Sequence, residues 1–263
     1  MYDNFGDKMI LTFDVGNSDI VFVAYQNDQV VKEGRIETKS EAFDSYFQKW
    51  LQELVPDTYL NLVEGIIVGS VVPRLSKRFI KLVEDYFSIK VTTFQIDDLP
   101  DFKALIDNPF ELGVDLIAGA YGGYALYQKP LIIVDAGSAT KISLINHEGN
   151  FVGCTIAPGL GISRQAMLSH IKHLPTFDYH VPESVIGRTT IDSLQAGLIL
   201  GNIGGITYIA ELLALESKEP ALKLLTGGYG YYLKEGLKDY LYLPDLVNFG
   251  LLKIYQTLQQ KNK

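Results

Sequence analysis

Cysteine is almost missing from this sequence: Cys154 stands alone in 263 residues. No intrachain disulfide can form, which fits a reducing compartment. An excess of positive charge is missing too. Lysine and arginine number 23 against 31 aspartates and glutamates, for a formal net charge of -8. Such a surface repels nucleic acid and anionic lipid, so neither is expected as a partner. No apolar run reaches the roughly 18 residues that a membrane span needs. The opening Met1-Tyr2-Asp3-Asn4-Phe5-Gly6-Asp7-Lys8 lacks the basic-then-apolar plan of a signal peptide. A cytoplasmic location is expected. No low-complexity stretch marks a linker. What the chain does have is 47% hydrophobic residues spread along its length, enough for one large core or two ordinary ones.

Strand and helix signals alternate, which points to the α/β class. Residues 9–13, 20–25 and 30–36 read as strands. Residues 41–54 read as a helix with Phe43, Phe47, Trp50, Leu51 and Leu54 on one face, most simply for core packing. A buried strand is expected over 65–72, and Pro73 then opens a helix. Further helices are expected over 114–126, 193–215, 231–240 and 250–259, with strands over 131–134 and 222–225.

The chain repeats itself. Leu11-Thr12-Phe13-Asp14-Val15-Gly16-Asn17-Ser18 aligns without a gap onto Ile132-Ile133-Val134-Asp135-Ala136-Gly137-Ser138-Ala139. Continued without a gap, residues 20–25 fall over 141–146, Asn27-Asp28 over Glu148-Gly149, and Val30-Val31 over Phe151-Val152. Each copy reads strand, Asp-x-Gly turn, strand, tight turn, strand. A matched pair predicts two similar domains, 1–128 and 129–263, facing each other across a cleft, with the final helix packing back on the first.

The chemistry of such turns follows from their parts. A strand delivers the aspartate at its carboxyl end, and the glycine lets the backbone come close to a ligand. The small polar residues that follow, Asn17-Ser18 and Ser138 with Thr140, offer N–H groups and hydroxyls to phosphate oxygens. A carboxylate repels phosphate, so it is suited to hold a cation, or a cation's water, against it. One such turn is most simply a strand end with a capped bend; a matched pair favours phosphate and metal handling. Thr226-Gly227-Gly228, after the strand over 222–225, adds a backbone without side chains on which a base or ribose can lie.

These three turns resemble the nucleotide-binding motifs of the actin, sugar-kinase and Hsp70 superfamily. Within it, the chain resembles type III pantothenate kinases along nearly its whole length. The resemblance is carried also by Ser70-Val71-Val72-Pro73, Asn108-Pro109-Phe110-Glu111-Leu112-Gly113-Val114-Asp115, Ile156-Ala157-Pro158-Gly159, Ser184-Val185-Ile186-Gly187-Arg188-Thr189-Thr190 and Gly250-Leu251-Leu252-Lys253-Ile254-Tyr255. It implies duplicated actin-like (ribonuclease H-like) domains. It implies ATP-dependent phosphorylation of the primary hydroxyl of pantothenate to 4'-phosphopantothenate, the first step of coenzyme A biosynthesis. Carried over, Asp14, Val15, Gly16, Asn17, Ser18, Asp19, Ile20 and Val21 form the first ATP turn, with Ser138, Gly227 and Gly228 also at ATP. Gly113, Val114, Asp115, Leu116 and Thr190 fall on the pantothenate side, Asp115 as proton acceptor. Asp135 matches the ligand of a monovalent cation, K+ or NH4+. Mg2+ or another divalent cation accompanies ATP, and a homodimer is implied.

Some positions depart from the family's pattern. Leu116 stands where an arginine is usual, and Ile106 where a tyrosine is usual. Ser18 replaces a threonine, and Lys141 and Ser143 replace a threonine and an aspartate after the second turn. Lys141 reads as a positive charge near the phosphates or as an exposed strand lysine. Leu116 and Ile106 keep a second reading open, a nucleotide-binding paralogue that serves as a regulator or partner subunit. His170 and His173 have the i, i+3 spacing of a metal pair on a helix but no third ligand near them. Cys154 reads as a small buried strand residue.

Overall fold

The computed structural model describes residues 8–38 and 43–261. The expected helix start at 41–42 lies outside them. The chain divides into two compact units, one made of the residues up to Lys103, Asn108–Ala125 and Val247 onward, the other of Ala104–Asp107 and Leu126–Leu246.

The first unit holds β1 (Met9–Val15), β2 (Asp19–Gln26), β3 (Gln29–Glu37), α1 (Phe43–Leu54), β4 (Val63–Ser70), α2 (Pro73–Phe87), β5 (Val91–Thr92) and α3 (Val114–Tyr127). The sheet order is β3-β2-β1-β4-β5, with β1 antiparallel to β2 and parallel to β4. Alternation decides which face is which. Leu11, Phe13 and Val15 of β1 share a core with Ile20 and Phe22 of β2, Phe47 and Leu51 of α1, and Phe79 and Val83 of α2. Phe13 lies 5.1 Å from Phe22 and 5.4 Å from Phe79, centroid to centroid. Each such ring contributes about 1.5–3 kcal/mol through burial. Ile10, Thr12 and Asp14 point to the opposite face.

The second unit holds β6 (Leu131–Ala136), β7 (Ala139–Ile145), β8 (Phe151–Pro158), α4 (Leu160–His170), α5 (Thr190–Ser217), β9 (Leu222–Thr226), α6 (Gly230–Leu233) and β10 (Leu241–Tyr242). Its sheet order is β10-β9-β6-β7-β8, which matches the first sheet strand for strand when read backwards. Ile132 and Val134 of β6, Ile142 and Leu144 of β7, and Leu198, Ile199 and Ile206 of α5 form its core. The last helix, α7 (Leu246–Lys261), belongs almost wholly to the first unit. There Gly250 lies against the backbone of Ala118, and Lys253 and Gln256 both bond to the carboxylate of Asp28.

The fold is α/β, with two mixed sheets of like topology. The repeat is real but not free of gaps. Asp14 pairs with Val21 across the first turn, whereas Asp135 pairs with Lys141, not Ile142, across the second. The second turn is therefore one residue shorter. Since side chains alternate along a strand, that single residue exchanges the faces of the second strand relative to the gap-free alignment.

Three expectations change. The helix expected over 231–240 stops at Leu233, and turns that include Gly236 follow it. Gly236 lies against Ile203, where a Cβ would come within 2.3 Å of the isoleucine Cδ1. The helix around 193–215 is longer, because Thr189 and Asp192 form a capping box that starts it at Thr190. This α5 also overturns the expectation that nothing is long and apolar enough to cross a membrane. One stretch of 18 residues in it has a mean hydropathy of 1.7, and only 22% of that stretch is buried. Glycines and isolated polar residues break the apolar run in the sequence, yet the helix as a whole stays apolar.

Candidate active site

In the first unit, three segments converge at the carboxyl end of β1. Val15 accepts the backbone N–H of Val71 at 3.1 Å, which ties the Asp14 turn to the end of β4. Gly113 comes next: a Cβ there would stand 3.6 Å from Cγ1 of Val71 and 2.6 Å from Oδ1 of Asp115. Asp115 lies in the first turn of α3, and its Oδ1 accepts the N–H of Leu116 at 2.8 Å. The Asp14 turn itself is tight. Gly16 donates its N–H to Asp19 O at 2.9 Å, and Thr38 Oγ1 donates to Gly16 O at 2.8 Å. Asn17 and Ser18 are exposed at the tip, while Val15 and Ile20 are fully buried. Their side chains serve the core, so only their backbone can meet a ligand.

In the second unit, Asp135, Ser138 and Gly227 come together. Gly227 has φ +87°, and a Cβ on it would lie 2.5 Å from Asp135 Oδ1 and 2.6 Å from the carbonyl of Ala136. Only glycine fits there. The chain after it is locked to the same strand end, since Tyr229 donates its N–H to Ala136 O at 2.8 Å. Gly159 closes over the turn, donating to Ser138 O at 3.2 Å, and a Cβ on it would collide with the carbonyl oxygens of Gly137 and Ser138. The Pro158-Gly159 segment carried this signal in the sequence; no motif carried the next feature. Lys141 Nζ forms an ion pair with Asp135 Oδ2 at 2.7 Å, and the two side chains are only 16% and 17% exposed.

The other expected residues differ in burial. Thr190 is exposed at the start of α5, and Gly228 is exposed in the turn after β9. Leu116 and Ile106 are half-buried. His170 ends α4, but His173 lies beyond it with φ +70°, so the two do not share a helix face. Among the described residues no group of three or more His, Cys, Asp or Glu side chains is placed to hold a metal. Cys154 is half-buried in β8 rather than fully buried. It lines a cavity of about 370 Å³ together with Leu144, Val152, Ile209 and Leu213.

The donor sets can be tested against the implied cations. Asp14 fits a divalent ion delivered with ATP, since magnesium takes one or two carboxylates and fills its shell with phosphate oxygens and water. Asp135 does not fit a free monovalent ion as it stands. Its Oδ2 is held by the Lys141 ammonium, and its Oδ1 lies against Gly227.

The comparisons with known proteins agree with this architecture. Residues 10–212 match the family model of type III pantothenate kinase. The chain belongs to the type III pantothenate kinase family. The type III pantothenate kinase of Citrifermentans bemidjiense is 33% identical over 97% of this chain and 100% of its own length. That of Bacillus cytotoxicus is 32% identical over 86% of this chain and 87% of its own. Among solved structures, the ethanolamine utilization protein EutJ from Carboxydothermus hydrogenoformans superposes with a TM-score of 0.54 at 15% identity. It covers 92% of this chain and 88% of its own, and it supports the actin-like fold. The protein is thus a kinase phosphotransferase with a pantothenate kinase function, and ATP use is supported by the family.

Proposed function

We propose that this kinase transfers the γ-phosphoryl group of ATP to the primary hydroxyl of pantothenate, giving 4'-phosphopantothenate, the first step of coenzyme A biosynthesis. The observation that carries the reading is Asp115, fixed by Leu116 N–H beside Gly113 and Val71, in the same unit as the Asp14 turn. A turn suited to the phosphates of ATP, a carboxylate base and a substrate loop are then supplied by one set of neighbouring segments.

The residue roles follow from chemistry. Asn17 and Ser18 offer N–H groups and a hydroxyl to phosphate oxygens at the tip of a turn that Gly16 closes with its own N–H to Asp19 O, with Asp14 holding the divalent cation that neutralises their charge. Val15, Asp19, Ile20 and Val21 shape that turn, and Ser138, in the second unit, is assigned to ATP as well. Gly227 and Gly228 are assigned to the nucleoside, Gly227 as the packed glycine of the turn and Gly228 as its exposed neighbour. Asp115 orients the attacking hydroxyl and takes its proton late, because the transition state of phosphoryl transfer is loose. Gly113, Val114, Leu116 and Thr190 are assigned to pantothenate. The positive charge at Asp135 comes from Lys141.

Dimerisation and location belong to the same proposal. One face of α5 carries Gly197, Gly201, Gly204 and Gly205, each with nothing outside the helix's own backbone within 4 Å of where a Cβ would stand, followed by exposed Tyr208, Leu212 and Leu215. A second copy of the chain covers this face in our reading. The opposite face, with Ile199, Ile206 and Ala210, belongs to the core of the unit. A cytoplasmic homodimer accounts for both faces without a membrane.

The test is ADP formation with ATP, magnesium and pantothenate. Steady turnover that depends on pantothenate is expected. Nucleotide binding with no turnover above the enzyme-free rate would move the protein to the regulator reading.

A further inference from the structure

We infer that the Lys141 ammonium is the built-in monovalent cation of this kinase: it takes the place at Asp135 that a potassium ion would hold, and so removes the need for potassium. The inference rests on the proposal that the Asp135 turn serves ATP.

The geometry is specific. Lys141 is the direct cross-strand partner of Asp135, and Nζ lies 2.7 Å from Oδ2. Directly opposed residues on antiparallel strands point the same way, with Cβ atoms about 5 Å apart. The lysine stem spans that gap easily. The pairing exists because the second turn is one residue shorter than the first. With a turn of the first kind, the aspartate faces an apolar residue, as Asp14 faces Val21. The lysine is therefore placed by the register of the strand, not by a flexible surface arm.

The chemistry matches as well. An ammonium and a potassium ion carry the same charge and are of similar size, and both bind through oxygen atoms. An ammonium has three N–H donors, so it can hold a carboxylate and a phosphate oxygen together. A tethered partner also acts at a high effective concentration, which a weakly bound free ion has to overcome. Both side chains are mostly buried, at 16% and 17% exposure, so bulk salt screens the pair weakly. Displacing the ammonium would leave a charged lysine stranded in a confined site.

The experiment compares wild type with Lys141→Met in buffer whose only monovalent cation is tetramethylammonium, with potassium chloride then titrated in. A fluorescent ATP analogue reports binding, ADP release reports turnover, and ²⁰⁵Tl NMR with thallium nitrate reports a potassium-type site directly. Wild type is expected to change less than about twofold in either function and to show no thallium site. Lys141→Met is expected to lose about tenfold in nucleotide affinity, equal to about 1.4 kcal/mol. It should recover with potassium and bind thallium. Lys141→Gln, which can still donate to Asp135, serves as a second variant with the same expected rescue. Potassium activation of wild type would overturn the inference, and so would variants as indifferent to potassium as wild type. If no form binds the nucleotide, the ATP reading fails, and thallium alone then decides: a site in the variants but not in wild type upholds the inference, and any other pattern overturns it.

Discussion

Asp115 holds the backbone N–H of Leu116 through its own Oδ1, at 2.8 Å. The proposed base is thus positioned by the first turn of the helix that carries it. Replacing it with asparagine separates position from chemistry, because an amide oxygen can still accept that N–H but cannot take a proton at neutral pH. Asp115→Asn should lower kcat by about 10²–10⁴-fold. Affinity for an ATP analogue should stay near that of wild type. Turnover close to wild type in this variant would remove the role from Asp115.

Leu116 supplies no charge where the family usually has an arginine. Pantothenate carries a carboxylate, and arginine binds carboxylates in a bidentate manner. Leu116→Arg should lower the KM for pantothenate by about tenfold, the equivalent of one charge-assisted hydrogen bond. Steady-state kinetics with pantothenate varied at saturating ATP measures this. An unchanged KM would show that the substrate's acid group is held elsewhere.

Gly227 makes a prediction about stability as well as binding. Its φ of +87° and the closeness of Asp135 Oδ1 and the Ala136 carbonyl leave no space for a methyl group. Gly227→Ala should destabilise the fold by about 1–3 kcal/mol through strain and contact. It should also push Asp135 away from Lys141. Urea denaturation reads the first effect, and loss of ATP-analogue binding at temperatures where the variant stays folded reads the second. A variant as stable as wild type would show that the turn is looser than drawn.

Much of this was legible in the sequence, and the exceptions have physical causes. Strand, Asp-x-Gly turn and strand were visible twice because glycine and aspartate mark a strand end plainly. The shorter second turn was not, because β6 and β7 bury apolar residues on both faces. Ile132, Ile133 and Val134 are all buried, as are Ile142, Leu144 and Ile145. Alternation then gives no sign of a one-residue slip, and register is what decides whether Lys141 or Ile142 meets Asp135. The early stop of α6 was hidden for a different reason: its tyrosines and leucines keep helical spacing, while the packing of Gly236 on Ile203 is long-range.

Tyr240 predicts the alkaline behaviour. Burial, followed by the nearby charges of Glu211 and Asp239, pushes its pKa up to about 12 from the usual 10. The folded state therefore favours the neutral phenol, and the unfolded chain ionises first. The stabilising contribution is complete below pH 10 and is lost as pH rises from 10 through about 12. Its buried hydroxyl has no hydrogen-bond partner among the described residues. Tyr240→Phe removes both the unpaired group and the titration, so it should be neutral or slightly stabilising at pH 8 and flatten the loss above pH 10. Thermal melts across that range check it; an unchanged alkaline slope would place the titration on other groups.

The exposed glycine stripe of α5 separates a dimer from a monomer. In a solvent-exposed helix, glycine costs about 1 kcal/mol relative to alanine. Gly201 and Gly204 carry that cost while nothing lies within 4 Å of where a Cβ would be. Exposed helices have no need of such residues, but helices that approach closely do. Sedimentation velocity should show a dimer for wild type without detergent. Gly201→Ala should then leave the melting temperature unchanged or lower, since the gain in helix propensity is offset by a wider interface, and Gly201→Leu should shift the protein toward monomer. A monomeric wild type whose Gly201→Ala variant is simply stabilised by about 1 kcal/mol would mean that the stripe faces water, and the dimer would have to form elsewhere or not at all.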